Sequence, residues 1–410
     1  MPGETLERPD GILRSAQDDR SDGVLRFAQD DRSDGILRSA QDDRGEGGAG
    51  SNGILRFAQD DRGGKKCDIF SLSDLTLPEL SSLLADMGEK RFRAGQVYAW
   101  LHRKDAFALE EMTDLPKALR EKLPPPAICR IRDRQESKLD ATRKYLFEMA
   151  DGSLVESVYM VYHHGHSVCI SSQVGCAMGC KFCASTIGGR TRNLSAGEML
   201  SQIYAIERDA GERISNVVVM GTGEPLDNYD NLVRFLRMLT DADGHNISER
   251  NVTISTCGLA DKIRDLAAEH LSINLALSLH APNDAMRRTI MPIANRYPLS
   301  EVLAALRDYY QATGRRLTFE YSLIAGVNDS DVCAEELVKI AKKFQCLVNL
   351  IPVNPVRERK FAQPDKNRVQ AFQKKLEKYG IHVTIRREMG RDIDGACGQL
   401  RKRYVEEGKV

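Results

Sequence analysis

From Ser167 onward, short β-branched and apolar runs alternate with longer stretches of helical periodicity. No other feature of the chain limits its fold as much. Candidate strands lie at 168–172, 216–220, 252–256, 273–279, 317–323 and 347–351. Helical patterns fall between them, as at 196–208, 231–239, 299–311 and 334–344. Six such β/α units predict an α/β protein with a parallel sheet, either an open doubly wound sheet or a partial (β/α)6 barrel. In both, chemistry gathers at the C-terminal ends of the strands.

The region before this alternation reads differently. Residues 71–125 carry helical patterns: Ser73 is a candidate N-cap for a helix with Leu77, Leu80, Leu83 and Leu84 on one face, and 92–101 forms a second. Pro124, Pro125 and Pro126 end this helical unit. Two alternating segments, 144–149 and 154–162, joined by Ala150-Asp151-Gly152-Ser153, predict a β-hairpin. The first 64 residues are tandem copies of a short motif, DGILRSAQDDRS at 10–21 and variants at 22–33, 34–45 and 52–63. The copies are shorter than solenoid repeats and poor in apolar residues, so they read as a disordered extension or as translated repetitive DNA. The resulting partition is 1–64, the repeat; 65–126, a helical accessory unit; 127–166, linker and hairpin; 167–400, the core; and 401–410, a tail.

Basic and acidic residues balance at 59 each, but the first 64 residues carry a net −5 and the remainder a net +5. A mildly basic body permits an RNA partner without requiring one. The chain has no apolar run long enough to span a membrane and no signal-peptide pattern, which points to the cytoplasm. In that reducing compartment, clustered cysteines are ligands or catalysts rather than structural bridges.

Cys176, Cys180 and Cys183 stand in GCAMGCKFC directly after the first candidate strand. Three thiolates hold three irons of a [4Fe–4S] cluster and leave the fourth open, where a ferredoxin would use a fourth cysteine. A zinc site is the alternative, with His163, His164 or His166 as the fourth ligand. The second strand ends in Met220-Gly221-Thr222-Gly223-Glu224-Pro225, where glycines admit close backbone approach and Glu224 can accept from an ammonium. The C-x3-C-x2-C spacing resembles the signature of the radical S-adenosylmethionine (SAM) superfamily. That resemblance implies that SAM chelates the open iron and that the Gly223–Glu224 segment receives its amino group.

Over about 71–400 the chain resembles the bacterial ribosomal RNA adenine C2 methyltransferases (RlmN-like). The stretches that carry this are GEKRFRAGQVYAWL (88–101), VESVY (155–159), SSQVGCAMGCKFC (171–183), MGTGEPL (220–226), STCG (255–258), SLHAPND (278–284), IPVNP (351–355) and DIDGACGQL (392–400). The resemblance implies a radical SAM barrel and a route with two SAM molecules per turnover. One methylates Cys397. The other, cleaved at the cluster, yields a radical that takes a hydrogen from that methyl group. The carbon radical adds to C2 of adenine, Glu156 accepts a proton, and Cys169 releases the product by forming a disulfide with Cys397. Ser255, Ser278, Leu279, His280 and Asn354 match positions that contact SAM. Read without the resemblance, Glu156 is an exposed strand glutamate, and Cys67, Cys129, Cys257, Cys333 and Cys346 are buried apolar side chains.

Implied partners are 23S ribosomal RNA at adenosine 2503, some transfer RNAs at adenosine 37, and a flavodoxin-type electron donor. The base must leave its stack to be modified. Lys90, Arg91, Arg93, His102, Arg103 and Lys104 of the helical unit form either an RNA platform or an ordinary solvated helix face. Rival readings are methylation at C8 of the same adenine (Cfr-like) and a non-catalytic iron–sulfur or zinc protein that binds RNA.

Overall fold

The structure is a computed structural model, and it describes residues 71–163, 165–356, 358–387, 389–390, 392–393 and 400. The repeat at 1–64, Cys67, His164, Cys397 and the tail lie outside the described residues.

Three helices come first: α1 (Leu77–Asp86), α2 (Phe92–His102) and α3 (Lys117–Arg120). The N-cap of α1 is Thr76, not Ser73; its backbone N–H and its hydroxyl both donate to Glu79 Oε2 at 2.8 Å. Ser73 instead sits in a preceding 3-10 turn capped by Ser71. An antiparallel meander follows, of β1 (Arg130–Glu136), β2 (Arg143–Glu148) and β3 (Leu154–Tyr162), and β4 (Gly165–Cys169) returns alongside β3. The hairpin expected at 144–162 is therefore β2–β3, while β1 was not expected: its polar run RIRDRQE hides its pattern.

Beyond β4 a small separate pair, β5 (Gln173–Gly175) and β6 (Arg190–Asn193), brackets the cysteine loop. The alternation then runs α4 (Ala196–Ala210), β7 (Asn216–Val219), α5 (Tyr229–Thr240), β8 (Val252–Thr256), α6 (Ala260–Ala268), β9 (Asn274–Ser278), α7 (Asp284–Ile290), α8 (Leu299–Thr313), β10 (Leu317–Leu323), α9 (Asp331–Ala341), β11 (Cys346–Pro352), α10 (Lys366–Lys378) and β12 (Val383–Ile385). Strand order in the main sheet is β1-β2-β3-β4-β7-β8-β9-β10-β11-β12. Pairing is parallel from β4 through β12, so the six expected parallel strands are present and a short seventh extends them. Among the described residues β1 and β12 are open edges, so the sheet is a partial barrel extended by a meander.

The first strand was expected at 168–172 but its ladder ends at Cys169. Ile170 to Ser172 then run beside the end of β7, with Ile170 N donating to Val218 O (3.0 Å) and Ser172 N to Thr222 O (3.0 Å).

Alternation along the strands makes the sheet two-faced. Val217, Val219, Ile254, Leu275, Leu277, Phe319, Tyr321, Val348 and Leu350 are buried beneath the helices in one core. Phe319 meets Phe344 edge-on, and Tyr321 stacks on Phe372 of α10. The opposite face is polar, with Thr253, Ser255, Ser278, Glu320 and Asn349 in alternate positions. The helical N-terminal segment belongs to the same core. It is also tied down by polar contacts: Asp74 Oδ1 accepts from Gly197 N at the start of α4 (2.7 Å), and Glu79 pairs with Arg234 of α5.

Candidate functional site

The cysteine loop leaves β5 at Gly175, whose φ of +78° places a hypothetical Cβ 2.0 Å from Gly189 O. Only glycine fits there. The loop is held at several points. Cys176 N donates to Gly189 O (3.1 Å) and Lys181 N to Ile290 O (2.9 Å). Thr186 Oγ1 donates to the carbonyls of Cys180 and Cys183 (3.0 Å each). Repulsion from Cys183 raises the proton affinity of Cys176, and repulsion from Cys183 and Cys176 raises that of Cys180, so the three thiols feel one another. Desolvation is the larger cause, and it pushes Cys176 up to about 12 and Cys180 higher still. Cys176 and Cys180 thus hold their protons, which a metal would have to displace.

Among the described residues no three His, Cys, Asp or Glu side chains are grouped to hold a metal ion. A four-iron cluster asks for something other than convergence, since each thiolate takes its own iron. The donor chemistry, three soft thiols in a dry loop, fits such a cluster. His166, a candidate fourth zinc ligand, is held by the Tyr159 hydroxyl (2.5 Å) and lies near Glu212 (3.6 Å), at the end of β4 away from the loop.

Glu224 stands beside this loop, buried at the end of β7. Its Oε2 accepts from Cys257 N (2.8 Å) and its Oε1 from Leu226 N (3.1 Å). Its own N–H donates to Gln173 Oε1 (2.9 Å). Burial raises its proton affinity and those hydrogen bonds oppose the rise. Gly223 has φ +114°, and a Cβ there would fall 2.7 Å from Gln173 Cβ. The glycine's role is thus to let the strand end pack on β5.

Ser255 and Ser278, at the ends of β8 and β9, touch through their hydroxyls (3.1 Å). Leu279 is fully buried and donates its N–H to Glu320 O (3.0 Å). His280 has φ +53° and is buried. Its Nδ1 accepts from Ser322 N (3.0 Å), so the neutral ring carries its proton on Nε2. Burial, then the nearby Arg287 charge, lowers its pKa to about 3. Phe182 of the cysteine loop meets the His280 ring edge-on at 5.0 Å. Asn354 lies just past β11 and is exposed.

The two proposed catalytic residues within the described chain share one face of the meander. Cys169 pairs with Val158 of β3, and Val158 with Lys144 of β2, so those three form a cross-strand row. Glu156, two residues from Val158, points to the same side. It is buried rather than exposed, and Lys144 Nζ lies 3.0 Å from its Oε2. Its carbonyl accepts from Ser171 Oγ (2.7 Å). Cys169 lines a small cleft with Val158, Met160, Tyr162, Arg386, Arg387 and Met389. No disulfide joins the described cysteines, and Cys397, the expected partner of Cys169, lies outside the described residues. The described residues flanking Cys397 rest on the meander. Asp392 accepts from Ser137 Oγ (2.6 Å) and Lys138 N (2.7 Å), and Leu400 packs on Leu146 and Leu154.

Three groups escaped the sequence reading. Lys144, which opens the alternating segment 144–149, carries no local signal of its own. Gln173 holds Glu224 and also Asn193 and Asp227. Arg287 is fully buried against the carbonyls of Cys257 and Leu279 (2.5 and 3.3 Å). In sequence it is one basic residue of a helix, the pattern of a solvated face. Cys129, Cys257, Cys333 and Cys346 are buried, as their apolar reading required. His102 is not part of any platform: it is buried, with Nδ1 3.0 Å from the Tyr204 hydroxyl.

The Radical SAM superfamily model matches residues 170–336, and that of the Ribosomal RNA large subunit methyltransferase N-terminal domain matches 70–129. The probable dual-specificity RNA methyltransferase RlmN of Lachnospira eligens is 57% identical over 339 residues, 82% of this chain and 97% of that protein. Its counterpart in Lachnoclostridium phytofermentans is 58% identical, over 82% of this chain and 95% of that one. A crystal structure of a radical SAM methyltransferase from Sphaerobacter thermophilus is 45% identical, with a TM-score of 0.76 over 80% of this chain and 98% of the other. With motifs, fold and near full-length relatives in agreement, the chain belongs to the RlmN family of radical SAM enzymes.

Proposed function

We propose that this protein methylates C2 of adenine 2503 in 23S ribosomal RNA, and C2 of adenine 37 in some transfer RNAs, through a methylated cysteine. The observation that carries this reading is the meeting of separate parts on the meander at one edge of the main sheet. Cys169 and Glu156 share a face, and both described anchors of the segment bearing Cys397 rest on the strands and turns around them. The names of the relatives, dual-specificity RNA methyltransferases, support RNA as substrate.

Cys176, Cys180 and Cys183 would hold a [4Fe–4S] cluster, which when bound supplies the electron that cleaves SAM. The remaining work falls to side chains. Glu224, whose carboxylate is held in place by the backbone N–H groups of Leu226 and Cys257, receives the ammonium of SAM. The Ser255–Ser278 hydroxyl pair and the Nε2–H of neutral His280 offer donors beside it, and Leu279 and Asn354 complete its surroundings. Cys397 carries the methyl group. Glu156, oriented by the Lys144 ammonium, takes the proton released when aromaticity returns. Cys169 attacks the Cys397 sulfur and frees the product, a thiol exchange with the RNA-bound carbon as leaving group. A flavodoxin-type protein is the proposed electron donor.

The test is anaerobic turnover of the reconstituted protein with SAM, reductant and unmodified 23S RNA, followed by mass spectrometry of the nucleosides. The expected product is 2-methyladenosine. A product of 8-methyladenosine overturns the position. SAM cleavage without methylated RNA overturns the substrate.

A further inference from the structure

Arg287 is the largest fully buried side chain among the described residues, and its charge has no assigned use beyond helping to keep His280 neutral. Its Nη2 donates to Cys257 O (2.5 Å) and Ser278 O (3.5 Å), and its Nε to Leu279 O (3.3 Å). Its Nη1 is buried and has no hydrogen-bond partner. Among the described residues no carboxylate forms an ion pair with it; Asp284 acts on it only at longer range.

A guanidinium taken out of water without an anion is an expensive arrangement. Carbonyl dipoles offset part of that cost, and an orphan N–H adds to it. A fold keeps such a group where an anion arrives. The surroundings say where. The Cys257 carbonyl held by Arg287 belongs to the residue whose N–H is held by Glu224. Lys181, between two of the loop cysteines, is bonded to Ile290 of the same helix α7. The charge of Arg287 also reaches the Cys180 and Cys257 thiols, where it favours thiolate.

We propose that Arg287 is a positioning residue for the proposed cluster: its buried charge balances the three thiolates and makes the cluster easier to reduce. This rests on the reading of Cys176, Cys180 and Cys183 as cluster ligands. Three thiolates outweigh the charge of the iron–sulfur core, so the bound cluster is an anion, and one electron makes it more negative. Net charge, hydrogen bonding and burial set the potentials of such clusters. A fixed cation beside the loop stabilises the reduced form more than the oxidised one. No bond is made or broken, and in the test the electron comes from dithionite.

The experiment compares wild type, Arg287→Met and Arg287→Lys as full-length proteins, reconstituted with iron and sulfide and titrated without SAM under electron paramagnetic resonance. At a fixed poise Arg287→Met is expected to show about a ten-fold lower ratio of reduced to oxidised cluster, roughly 59 mV for one electron. Arg287→Lys, which keeps the charge, should stay within about two-fold of wild type. Before loading, Arg287→Met should melt no lower than wild type, because an uncompensated charge has gone. If Arg287→Met does not load, Arg287→Gln, which keeps hydrogen bonding and drops only the charge, is titrated in its place.

An unchanged ratio in the neutral variants, or equal shifts in the lysine and neutral variants, overturns the proposal. So does a change seen only once SAM is added, which would make Arg287 a clamp for the SAM carboxylate. A wild type that takes up no iron–sulfur cluster overturns the cluster reading itself, a result separable from all of these.

Discussion

At the scale of single residues, the polar face of the meander is where the sequence misled most. Glu156 sits in a strand whose apolar neighbours hide it, and its partner Lys144 is twelve positions away, brought beside it only by the β2–β3 register. The pair is buried on both sides, so removing one member should be severe. Lys144→Met is expected to destabilise the protein by about 3–5 kcal/mol, read from urea unfolding, while Lys144→Met with Glu156→Leu should recover most of that loss. Equal stability of the single and double variants would show that the ion pair contributes nothing there. Cys169→Ala addresses chemistry rather than stability. With the releasing thiol gone, RNA should remain covalently attached to the protein after turnover, visible as a shifted band in a denaturing gel. A clean release of methylated RNA would remove Cys169 from its role.

At the scale of elements, the parallel strands were legible and their polar partners were not. Strand β8 and strand β10 fall where their alternation and β-branched content place them. Strands β1, β6 and β12 were missed because they are short, charged or at an edge, where pairing rather than burial decides the conformation. The same division runs through the site. The cysteine triad and Glu224 could be found because spacing within one segment reveals them. Arg287, Gln173 and Lys144 act across segments far apart in the chain, and no local pattern reports that. The helix α4 is where an element supports the site most directly, since it follows the cysteine hairpin. Ser195 caps it, with Oγ accepting from Glu198 N (3.1 Å) and Glu198 Oε2 accepting from Ser195 N (2.9 Å). Ser195→Ala should cost about 1 kcal/mol of stability in a denaturant titration.

For the whole molecule, acid sensitivity follows from histidines held neutral in the core. Burial, with His245 nearby, lowers the pKa of His102 to about 3. An unfolded imidazole takes its proton near 6.5. Between those values the unfolded chain binds more protons, so stability falls as pH drops, by up to ~1.4 kcal/mol per pH unit for one such histidine. In His102→Gln the stability measured by urea unfolding should decline less steeply below pH 6.5, and a parallel decline would refute this origin. Residues 1–64, outside the family match, should be dispensable: their deletion should leave methylation unchanged, and an inactive truncation would show the repeat to be part of the working enzyme.

The N-terminal helical segment invites comparison with a module that evolution or an engineer could exchange freely. Its attachment argues otherwise. Asp74 accepts from Gly197 N in the first turn of α4, Ser73 packs so tightly on Gly197 that a Cβ there would come within 2.9 Å, and Glu79 engages Arg234. A segment transplanted from a distant relative would have to bring its matching α4 and α5 with it. Changes in this N-terminal segment are therefore expected to be inherited together with changes in the core it packs on, by gradual co-adaptation rather than by shuffling.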